Sequence, residues 1–146
     1  QLFGTDLAPN MVALAQRNVP GAKFEVMDCR DISSINAKFD AIMCGFVMPY
    51  LSKKECAKLL EDSSSLLREG GIIYFSTMED DYEKSGYETT SFSGDDVVYI
   101  HYHQEAFLSE QLEKNGFQTI EFQRKLCPEP DGRFLTDMIF IARKVR

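Results

Sequence analysis

No stretch of this chain approaches the roughly 20 consecutive apolar residues that cross a bilayer. The longest runs, around Ala41–Cys44 and Met138–Ala142, fall far short, and no basic-then-apolar signal opens the chain. Positive charge is scarce: 16 Lys and Arg stand against 23 Asp and Glu, for a net charge of −7. Nucleic acids and anionic membrane surfaces both need clustered Lys and Arg, so neither is expected as a partner. Cys29, Cys44, Cys56 and Cys127 form no C-x-x-C pair; they read as core thiols without a metal, in a reducing, cytoplasmic setting. Repeats and low-complexity tracts are absent. What is present is a core: 146 residues, 44% hydrophobic and 12% aromatic, enough for one domain over 1–146 that buries roughly two-thirds of its unfolded surface. The chain starts at Gln1, inside what reads as a buried strand, as expected of a fragment or a processed product.

The hydrophobic pattern alternates between strand and helix. Gln1–Asp6 reads as a strand, and Pro9 suits the first turn of a helix whose Met11, Leu14 and Ala15 share a face. Val19-Pro20-Gly21 ends that helix. Lys23–Cys29 alternates as a second strand, and Phe39–Cys44 is an apolar strand suited to cover on both faces. Ser52-Lys53-Lys54-Glu55 is a capping box that opens a helix with Cys56, Leu59, Leu60, Ser63 and Leu67 on one face. Glu69-Gly70-Gly71 should stop it before a strand over Ile72–Met78. Glu79–Asp96 has no sustained period and carries seven acidic residues in 18 positions, so it reads as a long loop. Val97–His103 follows as a strand, Gln104–Asn115 as a short amphipathic helix with Phe107, Leu108 and Leu112 inward, and Phe117–Leu126 and Phe134–Ala142 as strands joined by the turn residues of Cys127–Arg133. This order predicts an α/β fold, a mostly parallel sheet with flanking helices that ends in an antiparallel hairpin.

Five pieces of the chain carry a resemblance: Gly4-Thr5-Asp6-Leu7-Ala8-Pro9-Asn10-Met11, Phe24-Glu25-Val26-Met27-Asp28-Cys29, Phe39-Asp40-Ala41-Ile42-Met43-Cys44, Leu66-Leu67-Arg68-Glu69-Gly70-Gly71-Ile72, and Asn115-Gly116-Phe117 before a hairpin. In this order they resemble the class I S-adenosylmethionine-dependent methyltransferases of the small-molecule branch. The resemblance implies a Rossmann-like sheet in the order third, second, first, fourth, fifth, seventh, sixth strand, with S-adenosyl-L-methionine as cofactor. It implies that Asp6 holds the ribose hydroxyls, that Leu7 and Met11 pack beside the adenine, that Asp28 meets the adenine amino group with Cys29 beside it, and that Cys44 and Gly45 pass the methionine part. The residues alone leave alternatives: Asp6 as an exposed helix-start residue, Asp28 as a turn former or replaced by Asp31, Leu7 and Met11 as core, Gly45 as a strand-ending turn. The family's glycine-rich loop has no counterpart, since no two of the nine glycines stand in G-x-G spacing. The first strand and helix of the fold are therefore expected to be missing from this sequence. The strands ending at Asp6 and Cys44 would then pair with each other, pair with another chain, or flank a segment outside the sequence.

The implied reaction is in-line methyl transfer to a small-molecule acceptor, in which positioning does most of the work. His101 and His103, at i and i+2 on the expected strand, share a face and read as a substrate base or a metal pair, against a partly exposed, structurally neutral histidine pair; with Tyr50 they are the candidates for acid–base work. Tyr82 and Tyr102 are further pocket candidates. Two rivals stand beside this reading: a non-catalytic methyltransferase-like binding or dimerisation module, argued from the absent glycine loop, and a nucleotide-dependent dehydrogenase, against which the final helix–Gly-Phe–hairpin speaks. Self-association as a homo-oligomer is left open.

Overall fold

The computed structural model describes residues 1–89, 97–128, 132 and 134–146, and divides into two compact units, Gln1–Asn36 and Ala37–Arg146. In the first unit, β1 (Phe3–Asp6) and β2 (Lys23–Val26) pair in parallel, with Asp6 opposite Val26. Between them runs α1 (Pro9–Asn18), with Pro9 in its first turn. The ring of Phe24 lies across Gly4, where a Cβ would come within 2.6 Å of it. β2 stops three residues short of expectation because Asp28 accepts from the Arg30 amide and turns the chain into a 3₁₀ segment over Cys29–Ser34. The expectation of a buried first strand is also corrected: Thr5 and Asp6 are exposed, and α1 buries no residue. Two strands and one helix of this length cannot enclose a large core; Ala22 and Ile32 are the buried apolar residues here.

The second unit is built on a four-stranded sheet in the order β3-β4-β8-β7, formed by β3 (Phe39–Cys44), β4 (Leu67–Glu79), β7 (Phe117–Pro128) and β8 (Phe134–Lys144). β3 and β4 are parallel; β4 with β8 and β8 with β7 are antiparallel. With β2 beside β1 in the first unit, these neighbours are those expected of the third and second, then fourth, fifth, seventh and sixth strands. β1 and β3 lie in separate sheets, so the alternative in which they pair with each other is not the one adopted. As the edge of its sheet, β3 is not covered on both faces: Met43 is 76% exposed. The core follows the period of two in the central strands, with Ile73 and Phe75 of β4 facing Met138, Phe140 and Ala142 of β8, all fully buried. The Phe140 ring stacks on Phe75 at 4.8 Å and meets Phe122 of β7 at 4.6 Å.

Helix α2 (Lys53–Leu66) forms where the capping box placed it: Ser52 Oγ accepts from the Glu55 amide while the Glu55 carboxylate accepts from the Ser52 amide. Its buried face is Cys56, Leu59, Leu60, Ser63 and Leu66. The helix ends before the Gly70-Gly71 stop, and Leu67 opens β4 instead. Two lysines explain this: Lys144 of β8 donates to the carbonyls of Ser64 and Leu67 at 2.6 and 3.1 Å, and Lys38 donates to that of Ser65. They satisfy the terminal acceptors and complement the helix dipole without a glycine cap. α3 (Glu105–Lys114) buries Leu108 and Leu112 and ends at Asn115-Gly116 as expected. The long loop is more ordered than its composition implied. A 3₁₀ turn at Tyr82–Lys84 leads to β5 (Gly86–Thr89), which pairs with β6 (Val97–Ile100) as an antiparallel ladder. The rest of that expected loop, 90–96, and residues 129–131 and 133 of the expected turn lie outside the described residues.

Candidate functional site

In the first unit, parallel pairing sends both strands out at one end, so Asp6 ends β1 where Asp28 follows β2. The Met27 amide still donates to the Asp6 carbonyl at 3.0 Å, carrying the ladder to the residue before Asp28. Asp6 Oδ1 accepts from the Ala8 amide at 2.8 Å, fixing the strand-to-helix turn where the N-cap residue Ala8 has no side chain to offer. Its Oδ2 meets no partner among the described residues, and the side chain is exposed. Leu7 and Met11, 63% and 48% exposed, are apolar surface beside this turn rather than core.

Asp28 is held differently. Its carboxylate accepts from Arg30 Nε and Nη2 at 2.8–3.0 Å and from the Arg30 amide at 2.9 Å. These bonds keep it well below the usual carboxylate range, and both oxygens are engaged. The sequence reading missed Arg30, although an arginine two residues after an acid at a turn was visible. Burial, helped by the Asp28 charge, pushes the Cys29 thiol up to about 11, so it is a protonated thiol at neutral pH. Asp31 is exposed, its carbonyl accepting from Ser34 Oγ.

In the second unit the parallel pair β3–β4 likewise sets the carboxyl ends of two strands side by side, with Cys44 opposite Phe75. Cys44 is buried. Gly45 has open space where a Cβ would stand, and it is Phe46 that takes the left-handed conformation, at φ 50°. Its amide is tied to Ser76 Oγ of β4 at 3.0 Å. A non-glycine residue held there stores strain, a feature that clusters at ligand-binding turns.

A 3₁₀ turn over Met48–Tyr50 follows, and the two histidines converge on it. β6 ends at Ile100, so they do not lie on the strand as expected, yet their rings still face the same way, 6.4 Å apart and both against Tyr82. His101 donates its amide to the Pro49 carbonyl at 2.7 Å, and His103 donates its amide to the Met78 carbonyl near the end of β4. Nor is the pair uniformly exposed: His103 is fully buried, because Nε2 points at the Met48 and Leu51 carbonyls, both at 3.1 Å, with Cys56 Sγ at 3.4 Å. Two acceptor carbonyls require the proton on Nε2, which leaves Nδ1 an acceptor that is buried without a partner among the described residues. His101 is half-buried, its Nδ1 3.3 Å from Tyr82 Oη and its ring packed on Tyr82 and Tyr99. Burial lowers the pKa of both histidines, with the Glu55 charge opposing it at His101 and the two carbonyl bonds opposing it at His103. Both are neutral imidazoles at pH 7. Lys53 sits over the Tyr82 and Phe107 rings at 4.4 and 5.5 Å, a contact the sequence reading did not anticipate. Tyr50 is exposed on the turn, and Tyr102 is buried and bonded to Glu88. No group of three or more His, Cys, Asp or Glu able to hold a metal occurs among the described residues.

The chain therefore has, in each unit, a pair of parallel strands whose carboxyl ends carry polar groups, joined in the second unit by aromatic ones, at the place where open α/β sheets bind ligands. Residues 1–71 match the sequence profile of a family described as "Methyltransferase domain". No curated protein matches the sequence. By structure, the chain is similar to an S-adenosylmethionine-dependent methyltransferase from Methanosarcina mazei (TM-score 0.79, 16% identity, covering 98% of this chain and 81% of that one) and to another from Mesorhizobium loti (0.75, 20%, 97% and 79%). It is also similar to the magnesium protoporphyrin IX methyltransferase of Synechocystis, solved with bound S-adenosylmethionine (0.67, 18%, 97% and 58%). Over its first 71 residues the chain thus resembles a methyltransferase domain, and over nearly all its length its fold is similar to that of S-adenosylmethionine-dependent methyltransferases.

Proposed function

We propose that the chain serves methyl transfer from S-adenosylmethionine to a small-molecule acceptor and carries the residues of the ribose and adenine half of the cofactor site together with residues of the substrate side. The observation that carries the reading is the parallel pairing of β1 with β2, which puts Asp6 and Asp28 at the same end of one strand pair. The residues fit a nucleoside unequally. Asp6 spends one oxygen on Ala8 and has the other to offer, which suits a diol; Leu7 and Met11 supply exposed apolar surface for a base. Asp28 meets an amino group only by sharing its oxygens with Arg30 or releasing it. Cys29 stands beside Asp28 as a neutral thiol.

S-adenosylmethionine brings a sulfonium methyl open to in-line displacement, so the protein's task is placement. At the end of β3, Cys44 and Gly45, followed by the strained Phe46, are the residues we assign to the methionine part of the cofactor. His101, neutral and half-buried, can take a proton from an acceptor that must lose one. His103 fixes the Met48–Tyr50 turn, and Tyr50 presents its ring there. Four cysteines with no C-x-x-C pair among them suit a reducing compartment, and we take the cytoplasm as the place of work. The second reading, a methyltransferase-like binding module without catalysis, is favoured by one feature: no glycine pair stands in G-x-G spacing.

Titration with S-adenosylhomocysteine, followed by amide chemical shifts, detects affinities as weak as the millimolar range. The expected result is movement of the Leu7, Met11, Asp28 and Cys29 amides, with Asp6→Ala weakening binding by about 2 kcal/mol, roughly 30-fold, through loss of charge-assisted bonds to a diol. Unmoved shifts in this segment, or an Asp6→Ala titration identical to wild type, overturn the cofactor site. If the shifts move but no acceptor is methylated, the binding module is the better reading.

A further inference from the structure

We propose that the free edge of β7 is a homodimer interface, in which two copies of the chain pair antiparallel about a two-fold axis through Gln123. Among the described residues β7 is the last strand of its sheet and, at 12 residues, a long open edge. Such an edge presents unpaired backbone groups to any second strand. From Glu121 to Pro128 it is regular against β8, the bulge being confined to Thr119–Glu121, so a straight ladder is available for a new partner. Ile120 and Leu126 are 51% and 67% exposed on this strand, apolar side chains that its own unit leaves uncovered.

The charge pattern selects both the partner and the register. An edge guarded against association carries charges of one sign, which repel a second copy. Here Glu121 and Lys125 have opposite sign, lie on the same face by the period of two, and flank the neutral Gln123 symmetrically. Among the described residues neither forms an ion pair. A two-fold axis perpendicular to a continuous sheet makes some residue face its own copy, as an isologous contact requires. Centring on Glu121, Arg124 or Lys125 sets like charges opposite each other, and centring on Phe122 puts Glu121 against Gln123 and Lys125 against Thr119. Centring on Gln123 puts Glu121 of each copy opposite Lys125 of the other, and Phe122 opposite Arg124. Opposite charges directly across a ladder stabilise it and like charges oppose it. The inference is independent of the proposed methyl transfer, since it uses no residue of either strand-end cluster.

Sedimentation of the full chain over a concentration series tests it, alongside Lys125→Glu and the double variant Glu121→Lys/Lys125→Glu, with circular dichroism confirming that each is folded. A monomer–dimer equilibrium is expected. Lys125→Glu should weaken it about tenfold by opposing two pairs of glutamates, and the double variant should restore it. In a second arm, Gln123→Cys should form a symmetric disulfide dimer on mild oxidation, since facing residues of a ladder lie within disulfide reach, whereas Glu121→Cys should not. A wild type that stays monomeric at every concentration overturns the proposal. So does a dimer indifferent to Lys125→Glu, or a double variant no better than the single one.

Discussion

Burying a histidine that must stay neutral couples the stability of the chain to pH. His103 donates from Nε2 to the Met48 and Leu51 carbonyls, and burial lowers its pKa from the ordinary value of 6.5. The unfolded chain takes up a proton at His103 as the pH falls below 6.5, while the folded chain takes it up only at lower pH. The contribution of this residue to stability is therefore complete above pH 6.5 and declines as the pH falls from there through the folded pKa. One proton sets the slope, at most about 1.4 kcal/mol per pH unit. Urea unfolding between pH 7.5 and pH 5 should show this decline. His103→Phe should lower stability at pH 7 by about 1–3 kcal/mol, by leaving two buried carbonyls without a donor, and should flatten the profile over the same range. That His101 and His103 were notable could be read from residue type and spacing. That one is sealed and the other half-open could not, because the sealing carbonyls lie 55 and 52 residues earlier in the chain.

Helix α2 shows the same division within a single element. Its start is written in four consecutive residues, and Ser52→Ala should cost about 1 kcal/mol in thermal or denaturant melts by removing the N-cap oxygen. Its end is set by residues far away: Lys144 reaches back from the last strand to the Ser64 and Leu67 carbonyls. Lys144→Met, which keeps the apolar stem and removes the cation, should destabilise the fold by about 1–2 kcal/mol, as the loss of charge-assisted bonds at a helix C-terminus implies. No local pattern around Gly70-Gly71 carries that information, which is why the expected stop fell several residues late. The ladder of β5 with β6 escaped notice for a related reason. β5 is four residues long and polar at two of them, and it becomes a strand only by pairing with Val97–Ile100.

Across the whole molecule, burial is uneven. The second unit holds the fully buried Ile73, Phe75, Met138 and Phe140, whereas the first has Ala22 and Ile32 as its buried apolar residues. Local stability follows buried apolar contact, so amide hydrogen exchange should be slowest in β4 and β8 and much faster in β1, β2 and α1. S-adenosylhomocysteine at saturation should slow exchange in β1 and β2 more than in β4 and β8. Equal protection of the two units in its absence would show that the first unit is stabilised by something other than its own core.

The sequence by itself determined the alternation of strands and helices, the parallel character of the early strands, the capping box and the final hairpin, since each rests on periodicity or on residues within one turn of each other. It was the resemblance carried by five short segments, and not any local mark alone, that pointed to Asp6 and Asp28. Only the tertiary structure decided that Arg30 occupies the Asp28 carboxylate, that His103 is buried against the Met48 and Leu51 carbonyls, that distant lysines finish α2, and that β7 is left with a free edge. These depend on which segments the fold brings together, and contacts between residues far apart in the chain leave no periodic trace in either segment alone.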